Sequence, residues 1–209
     1  MKKRKLPKLL LNLEVKNTLD GIQEFDVIEN VMFEDCLLDI TYSNIEFRSC
    51  HFKNVEFQSR NHDKIDFSNV KMEHCDLSNL VLNNTSLYSV EFIDCKLLGS
   101  QFCDTHMKHI LLKNCVCKYA NFSGSTMENL EIIDSCMMES SWNECKLKNV
   151  ELTNNCFDQS EFIHTPLKDI SFISNSIHGI KTDTPSLKGM IVDEFQAMEL
   201  ARFLGIVIK

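Results

Sequence analysis

Cys75-Asp76-Leu77-Ser78-Asn79, Leu80-Val81-Leu82-Asn83-Asn84 and Thr85-Ser86-Leu87-Tyr88 follow one another in a single register: a small or apolar residue, a leucine two places later, and in the first two an asparagine two places after that. With the leucine position called i, five-residue steps lead back through Met72, Phe67, His62, Phe57, Phe52, Phe47 and Tyr42 to Leu37. Forward they lead through Phe92, Leu97, Phe102, Met107, Leu112, Cys117, Phe122, Met127, Ile132, Met137, Trp142 and Leu147, and on to Ile177. Only His62 breaks the apolar run. Position i−2 holds residues such as Ile45, Cys50, Val55, Val70, Cys95, Ser100, Cys115, Ala120, Ser135, Val150 and Asn155, nearly all small or β-branched. Position i+2 is rich in turn formers, among them Asn44, Asn54, Asn69, Asp94, Gly99, Asp104, Asn114, Gly124, Asn129, Asp134, Asn149 and Asn154.

Helices and ordinary strands, with periods of about 3.6 and 2, lose phase against a period of five within two repeats. A chain that buries one large and one small residue in every five and then turns must close on itself, with each side one repeat long. Four sides make a square coil of about twenty residues per turn, so residues twenty apart should match. Leu82, Phe102, Phe122, Trp142 and Phe162 form a largely aromatic column, and Cys75, Cys95 and Cys115 form another. The fold class predicted is an all-β solenoid with a helical C-terminal cap. It divides into an N-terminal arm over residues 1–19, a repeat body over 20–192 and a cap over 193–209.

At Tyr119-Ala120-Asn121-Phe122-Ser123 and Cys75-Asp76-Leu77-Ser78-Asn79 the pattern resembles the A-(D/N)-L-x-x consensus of the pentapeptide-repeat family. The resemblance implies a right-handed quadrilateral β-helix. At about 4.8 Å per coil, eight to nine coils make a rod roughly 40 Å long. The phase leaves no room for inserted loops between Leu37 and Ile177, and only Arg60-Asn61-His62-Asp63-Lys64 reads as an irregular repeat, either a bulge or a binding notch.

Asp193-Glu194-Phe195-Gln196 reads as an N-cap with a capping-box glutamine, opening a helix of about ten residues that stops at Gly205. Ala197, Leu200, Ala201 and Leu204 share one stripe, suited to closing the last coil, while Phe195, Met198 and Phe203 lie off it. Ile206-Val207-Ile208 follows as a short apolar strand. Phe195-Gln196-Ala197 with Leu200, Arg202 and Leu204-Gly205-Ile206-Val207-Ile208 resembles the tail of Qnr-type quinolone-resistance proteins, lacking the internal loops that some members carry. That resemblance implies a homodimer, whose interface is predicted at Phe195, Met198, Ala201, Phe203, Leu204, Ile206 and Ile208.

The net charge of −8 conceals an asymmetry. Lys2, Lys3, Arg4, Lys5, Lys8 and Lys16 against Glu14 give residues 1–16 about +5, leaving about −13 on the rest. An acidic body disfavours nucleic acid, whose phosphates are bound by Lys and Arg, and suits a partner that is itself basic. Asp20, Glu24, Asp26, Glu29, Glu34, Asp35 and Asp39 form an acidic stretch that reads equally as a solvated cap or a binding feature. Along the body, Glu91, Asp94, Glu131, Asp134 and Glu151 lean one side negative and are the candidate partner surface, interrupted by Lys71 and Lys113. Lys108, Lys148 and Lys168 make a basic column elsewhere.

Leu9-Leu10-Leu11 after a basic start is too short for an export signal, and the expected location is the cytoplasm. The ten cysteines then need an explanation other than disulfides. Cys50, Cys75, Cys95, Cys115 and Cys145 occupy the small i−2 site, where a thiol packs as a compact hydrophobe. Cys36, Cys103, Cys136 and Cys156 fall at outward positions. His51, His74, His106, His109, His164 and His178 are scattered without ligand spacing, and no nucleophile elbow, phosphate loop or zinc motif is present. No catalytic residue, metal or cofactor is therefore expected. The Qnr resemblance implies a DNA mimic acting on DNA gyrase or topoisomerase IV. The alternative is a scaffold for another protein, using Ile93, Ile133 and Ile173.

Overall fold

Residues 4–40, 43–59 and 64–207 are described by the computed structural model. Twelve strands follow in chain order: β1 (Glu14–Lys16), β2 (Val27–Glu29), β3 (Val31–Ile40), β4 (Ile45–Arg48), β5 (His51–Ser59), β6 (Ile65–Glu73), β7 (Ser86–Ile93), β8 (His106–Lys113), β9 (Thr126–Ile133), β10 (Lys146–Thr153), β11 (Glu161–Phe162) and β12 (Lys181–Thr182). Every pairing is parallel, and β6 through β10 stack in order, each twenty residues beyond its neighbour, as at Val70↔Val90, Val90↔Ile110 and Ile110↔Leu130. The other sides of the coil are joined by parallel bridges at the same spacing, such as Asp76↔Lys96 and Gln101↔Asn121. The result is a parallel β-solenoid of about eight turns.

Its interior follows the five-residue pattern. Phe102 stacks on Phe122 at 5.2 Å, Phe122 on Trp142 at 4.3 Å and Trp142 on Phe162 at 5.9 Å, so the predicted aromatic column is a continuous stack. Two further stacked pairs lie nearer the N-terminus, Phe33 on Phe52 and Phe47 on Phe67, edge-on to each other. The corners are equally regular. Each predicted turn former at i+2 from Asn44 to Asn154 has a positive φ, about 50° to 75°. Asn, Asp and Gly tolerate that left-handed conformation best, which is why they recur there.

The i−2 position does more than fit a small side chain. Its side chain accepts the backbone N–H of the residue one coil earlier: Cys115 N–H donates to Ser135 Oγ, Ser135 N–H to Asn155 Oδ1, and Asn155 N–H to Asn175 Oδ1, at 2.9 to 3.0 Å. Thr105, Ser125, Cys145, Thr165 and Ser186 build a parallel ladder on another side. The thiols belong to these ladders. Cys50, Cys75, Cys95, Cys115 and Cys145 each donate to a carbonyl 22 or 23 residues back. Expected as simple hydrophobes, they are weak hydrogen-bond donors standing where serine and asparagine stand in other coils.

At the N-terminal end the phase differs from the predicted one. Leu38, not Leu37, fills the core, and Leu37 is exposed. β3 pairs with β5 nineteen residues on, as at Phe33↔Phe52, whereas β4 pairs with β6 twenty residues on. One residue is therefore missing between Leu38 and Ile45 relative to the later coils. The adjacent leucines at 37 and 38 satisfy either register, so periodicity alone cannot choose between them. Tyr42, Arg60, His62 and Ile208 lie outside the described residues, as does most of the predicted irregular repeat.

The C-terminal cap is α1 (Glu194–Leu200), continued by a 3₁₀ turn over Ala201–Leu204 and ended by left-handed Gly205. The predicted capping box is present: Asp193 accepts from Gln196 N–H, and the Gln196 side chain accepts from Asp193 N–H. Buried Gln196 also donates to the carbonyls of Phe172 and Asn175. One side chain thus caps its helix and closes the last complete coil. Ile206 and Val207 form no strand, unlike the expectation for 206–208.

Candidate interaction surface

The five predicted surface carboxylates fall on two parts of the rod. Asp94 and Asp134 stand at a corner, where the left-handed turn points side chains outward. Asn114 donates to Asp94 at 3.0 Å and Asn154 to Asp134 at 3.2 Å, and Asn54 donates to Asp35 at 2.6 Å on the same edge. The asparagine donors hold these carboxylates in position, and His74, at the same corner, lies 4.0 Å from Asp94. Towards the N-terminal end this edge borders an open groove of about 560 Å³, lined by Asp35, Glu56, Asp76, Asp94, His74 and Lys96.

Glu91, Glu131 and Glu151 belong to a flat side, in the column Lys71, Glu91, Leu111, Glu131, Glu151 formed by β6 to β10. Glu91 and Glu131 are not free. The N-terminal arm lies over them, and Arg4 bridges both, its Nη2 at 2.9 Å from Glu91 and its Nε at 3.2 Å from Glu131. The Arg4 side chain is only 6% exposed. Leu111 lies between the two carboxylates in the column, an outward position, yet is buried. Glu151, beyond the arm, remains exposed.

The next arm residue is held through its backbone. Lys5 N–H donates to His109 Nδ1 at 3.2 Å, and Ser89 Oγ donates to the Lys5 carbonyl at 3.1 Å. Lys5 Nζ donates to the Tyr88 hydroxyl at 3.1 Å, and the Tyr88 ring meets the His109 imidazole edge-on. Burial, followed by the cations of Lys5, Lys108 and Arg4, pushes the His109 imidazole below its ordinary range against the opposing pull of Glu128. A neutral ring is what acceptance at Nδ1 requires. His109 appears in sequence as one of several scattered histidines, and the structure makes it part of the arm's seat.

The predicted basic column is compensated: Glu128 sits between Lys108 and Lys148 and pairs with both, at 2.8 and 3.3 Å. The cysteines at i−2 are shifted in both directions: a hydrogen bond with Cys95 lowers the Cys75 and Cys115 thiols against the effect of burial. Burial pushes Cys50 up to about 11 and Cys145 up to about 12, while hydrogen bonds with Cys115 and Cys75, and then burial, raise Cys95. Cys36, Cys103, Cys136 and Cys156 are half-buried. Of Ile93, Ile133 and Ile173, only Ile173 is exposed.

At the other end, Phe195, Met198, Leu204 and Ile206 are exposed, and Ala201 and Phe203 are partly buried against the rod. Leu204, Ile206, Ala197, Leu187, Met190 and Val192 border an open apolar groove of about 810 Å³ beside the cap. No described helix is long and apolar enough to cross a membrane, and the described residues contain no cluster of three or more His, Cys, Asp or Glu able to hold a metal ion.

Residues 45–122 match the family described as pentapeptide repeat region. That stretch, β4 to the coil before β9, is similar to pentapeptide-repeat proteins. No curated protein matches the sequence. Among solved structures, this solenoid is similar to a trypsin-treated variant of QnrB1, described as a plasmid-mediated fluoroquinolone resistance protein. The identity is 19%, with 95% of this chain and 100% of that chain covered and a TM-score of 0.39. It is also similar to Rfr23 from the cyanobacterium Cyanothece 51142, at 18% identity over 55% of this chain and 65% of that one, with a TM-score of 0.27. A third similar structure is HetL from Nostoc sp. PCC 7120, described as involved in heterocyst differentiation regulation, at 11% identity over 83% and 93%, with a TM-score of 0.25.

Proposed function

We propose that this protein is a non-enzymatic, cytoplasmic binding rod whose partner is a protein with a basic surface, and that the partner is DNA gyrase or topoisomerase IV. The observation that carries the reading is the line of carboxylates along the corner, Asp35, Asp94 and Asp134, each hydrogen-bonded by an asparagine of the next coil instead of paired with a lysine. An acidic rod of this kind can occupy a saddle evolved for the DNA phosphate backbone, acting as a DNA mimic. The choice of topoisomerase rests on the likeness of the tail sequence to Qnr-type proteins, with quinolone protection or inhibition as the outcome. Purified protein in a gyrase supercoiling assay, with and without a fluoroquinolone, tests it. Neither inhibition nor protection at micromolar protein would reject it in favour of a scaffold for some other partner.

The same reading makes the protein a homodimer joined through its C-terminal caps. The apolar groove between Leu187, Met190 and Ile206 and the exposed Phe195 and Met198 are a surface that a second copy would cover. Sedimentation at dimer mass, lost on Phe195→Asp with Ile206→Asp, is the expected result, and monomer mass for the unmodified protein refutes it.

A further inference from the structure

The arm docks in a manner that discloses a binding site. It crosses to coils far along the chain, with Arg4 and Glu131 separated by 127 residues and Lys5 and His109 by 104. The seat suits one kind of guest. Two carboxylates flank a single apolar residue, Leu111, so the guest needs a long aliphatic stem ending in a cation that can address both sides. Arginine meets this with a planar fork of five donors, whereas lysine carries a compact point charge. Beside that pocket, His109 and Ser89 engage the N–H and the carbonyl of the following residue, contacts with its backbone, while its side chain reaches the Tyr88 hydroxyl. The site therefore reads an arginine and the extended backbone after it.

The occupant is held at one point. Beyond Lys5, Leu6, Leu10 and Leu11 are exposed, and Pro7, Leu9 and Leu13 are partly buried without joining the apolar core of the rod. Eight residues, 6–13, connect Lys5 to β1, and a tether that short supplies an effective concentration on the order of millimolar. Such an occupant is retained by proximity and can be displaced by an untethered segment with better contacts.

We infer that the seat formed by Ser89, Glu91, His109, Leu111 and Glu131 is a docking site for an extended, arginine-bearing segment of a partner protein, and that the arm fills it in cis as a competing mimic. This goes beyond the topoisomerase reading and does not depend on it, because peptide binding and supercoiling are separate measurements. The site lies on the flat side of the rod, and the Asp35, Asp94 and Asp134 edge stays open whether or not the arm is docked.

The test uses the full chain and a fluorescent, N-acetylated peptide with the sequence of residues 2–9, followed by anisotropy. Arg4→Ala in the protein should raise affinity for the peptide at least tenfold over the unmodified chain, by emptying the seat. Adding Glu91→Gln and Glu131→Gln to that variant should remove at least tenfold again. A peptide carrying Arg4→Lys should bind at least fivefold more weakly than the arginine peptide. Circular dichroism and thermal melting of each variant confirm an intact coil. Equal binding by the unmodified chain and the Arg4→Ala variant, indifference to the two carboxylates, or no binding to the Arg4→Ala variant at millimolar peptide would each overturn the inference.

Discussion

Asn155 offers a direct measure of what the i−2 ladder contributes. It is 3% exposed, accepts Ser135 N–H on Oδ1 at 2.9 Å and donates through Nδ2 to the Ile132 carbonyl at 2.8 Å. Asn155→Ala leaves the Ser135 N–H buried without its acceptor, at about 1–3 kcal/mol, and removes two further bonds, to the Ile132 carbonyl and to Asn175 Oδ1, worth about 1 kcal/mol each. The backbone N–H of position 155 keeps its acceptor on Asn175, so the damage stays on one side of the coil. The expected loss is about 3–5 kcal/mol, or about 6–20 °C in melting temperature for a chain of this size. Asn155→Ser should lose under about 1 kcal/mol, because a hydroxyl already does this work one coil earlier, where Ser135 Oγ accepts Cys115 N–H at 3.0 Å. The assay is urea unfolding followed by the fluorescence of Trp142, the single tryptophan, which lies in the same stretch of coils. The serine comparison matters, since alanine also removes volume. If the alanine and serine variants unfold within about 0.5 kcal/mol of each other, the ladder contributes through packing and not through hydrogen bonding.

Thiol titration of the native protein should detect at most Cys36, Cys103, Cys136 and Cys156 of the ten cysteines, with all ten reacting in denaturant. Because burial raises Cys36, Cys103 and Cys156, their reaction should be slow at neutral pH and speed up in alkali, and fast labelling of six or more native thiols at pH 7 would contradict the assigned core. Gly124→Ala should lower the urea midpoint by the equivalent of about 1–2 kcal/mol, since φ is +74° there and an added Cβ would collide with Asp104 Oδ1; an unchanged midpoint would refute the corner geometry. Arm docking should weaken in acid. His109 has a lower pKa with the arm docked than with it free, so docking is fully supported above the free value near 6.5 and is lost as pH falls through and below it. A donor–acceptor dye pair on the arm and body should report release as pH falls below about 6.5, abolished by His109→Gln, whereas pH-independent docking in the unmodified chain would count against the neutral acceptor.

The parts of this fold that could be read in sequence are those set by the chain within one coil. A buried large residue, a small one two places earlier and a turn former two places later each leave a compositional trace, because each position excludes most residue types. The Phe102, Phe122, Trp142 and Phe162 stack and the Asn and Asp corners follow from that exclusion. The slip at Leu37 and Leu38 leaves no trace, because two adjacent leucines are equally acceptable inside. The hydrogen bonds of the ladder were hidden for a similar reason: Cys, Ser, Thr and Asn at i−2 share small size, and only the positions of donors and acceptors across coils reveal their common task. The arm belongs to a third class, in which the determining contacts join residues 84 to 127 positions apart. One local signal did exist. In the column Lys71, Glu91, Leu111, Glu131, Glu151 a single apolar residue breaks a charged face, and beside it Ser89, His109 and Asn129 are polar but buried. An outward leucine flanked by two carboxylates is poorly matched to water and well matched to an arginine stem, so in other solenoids with a basic tail an interruption of this type predicts where that tail docks.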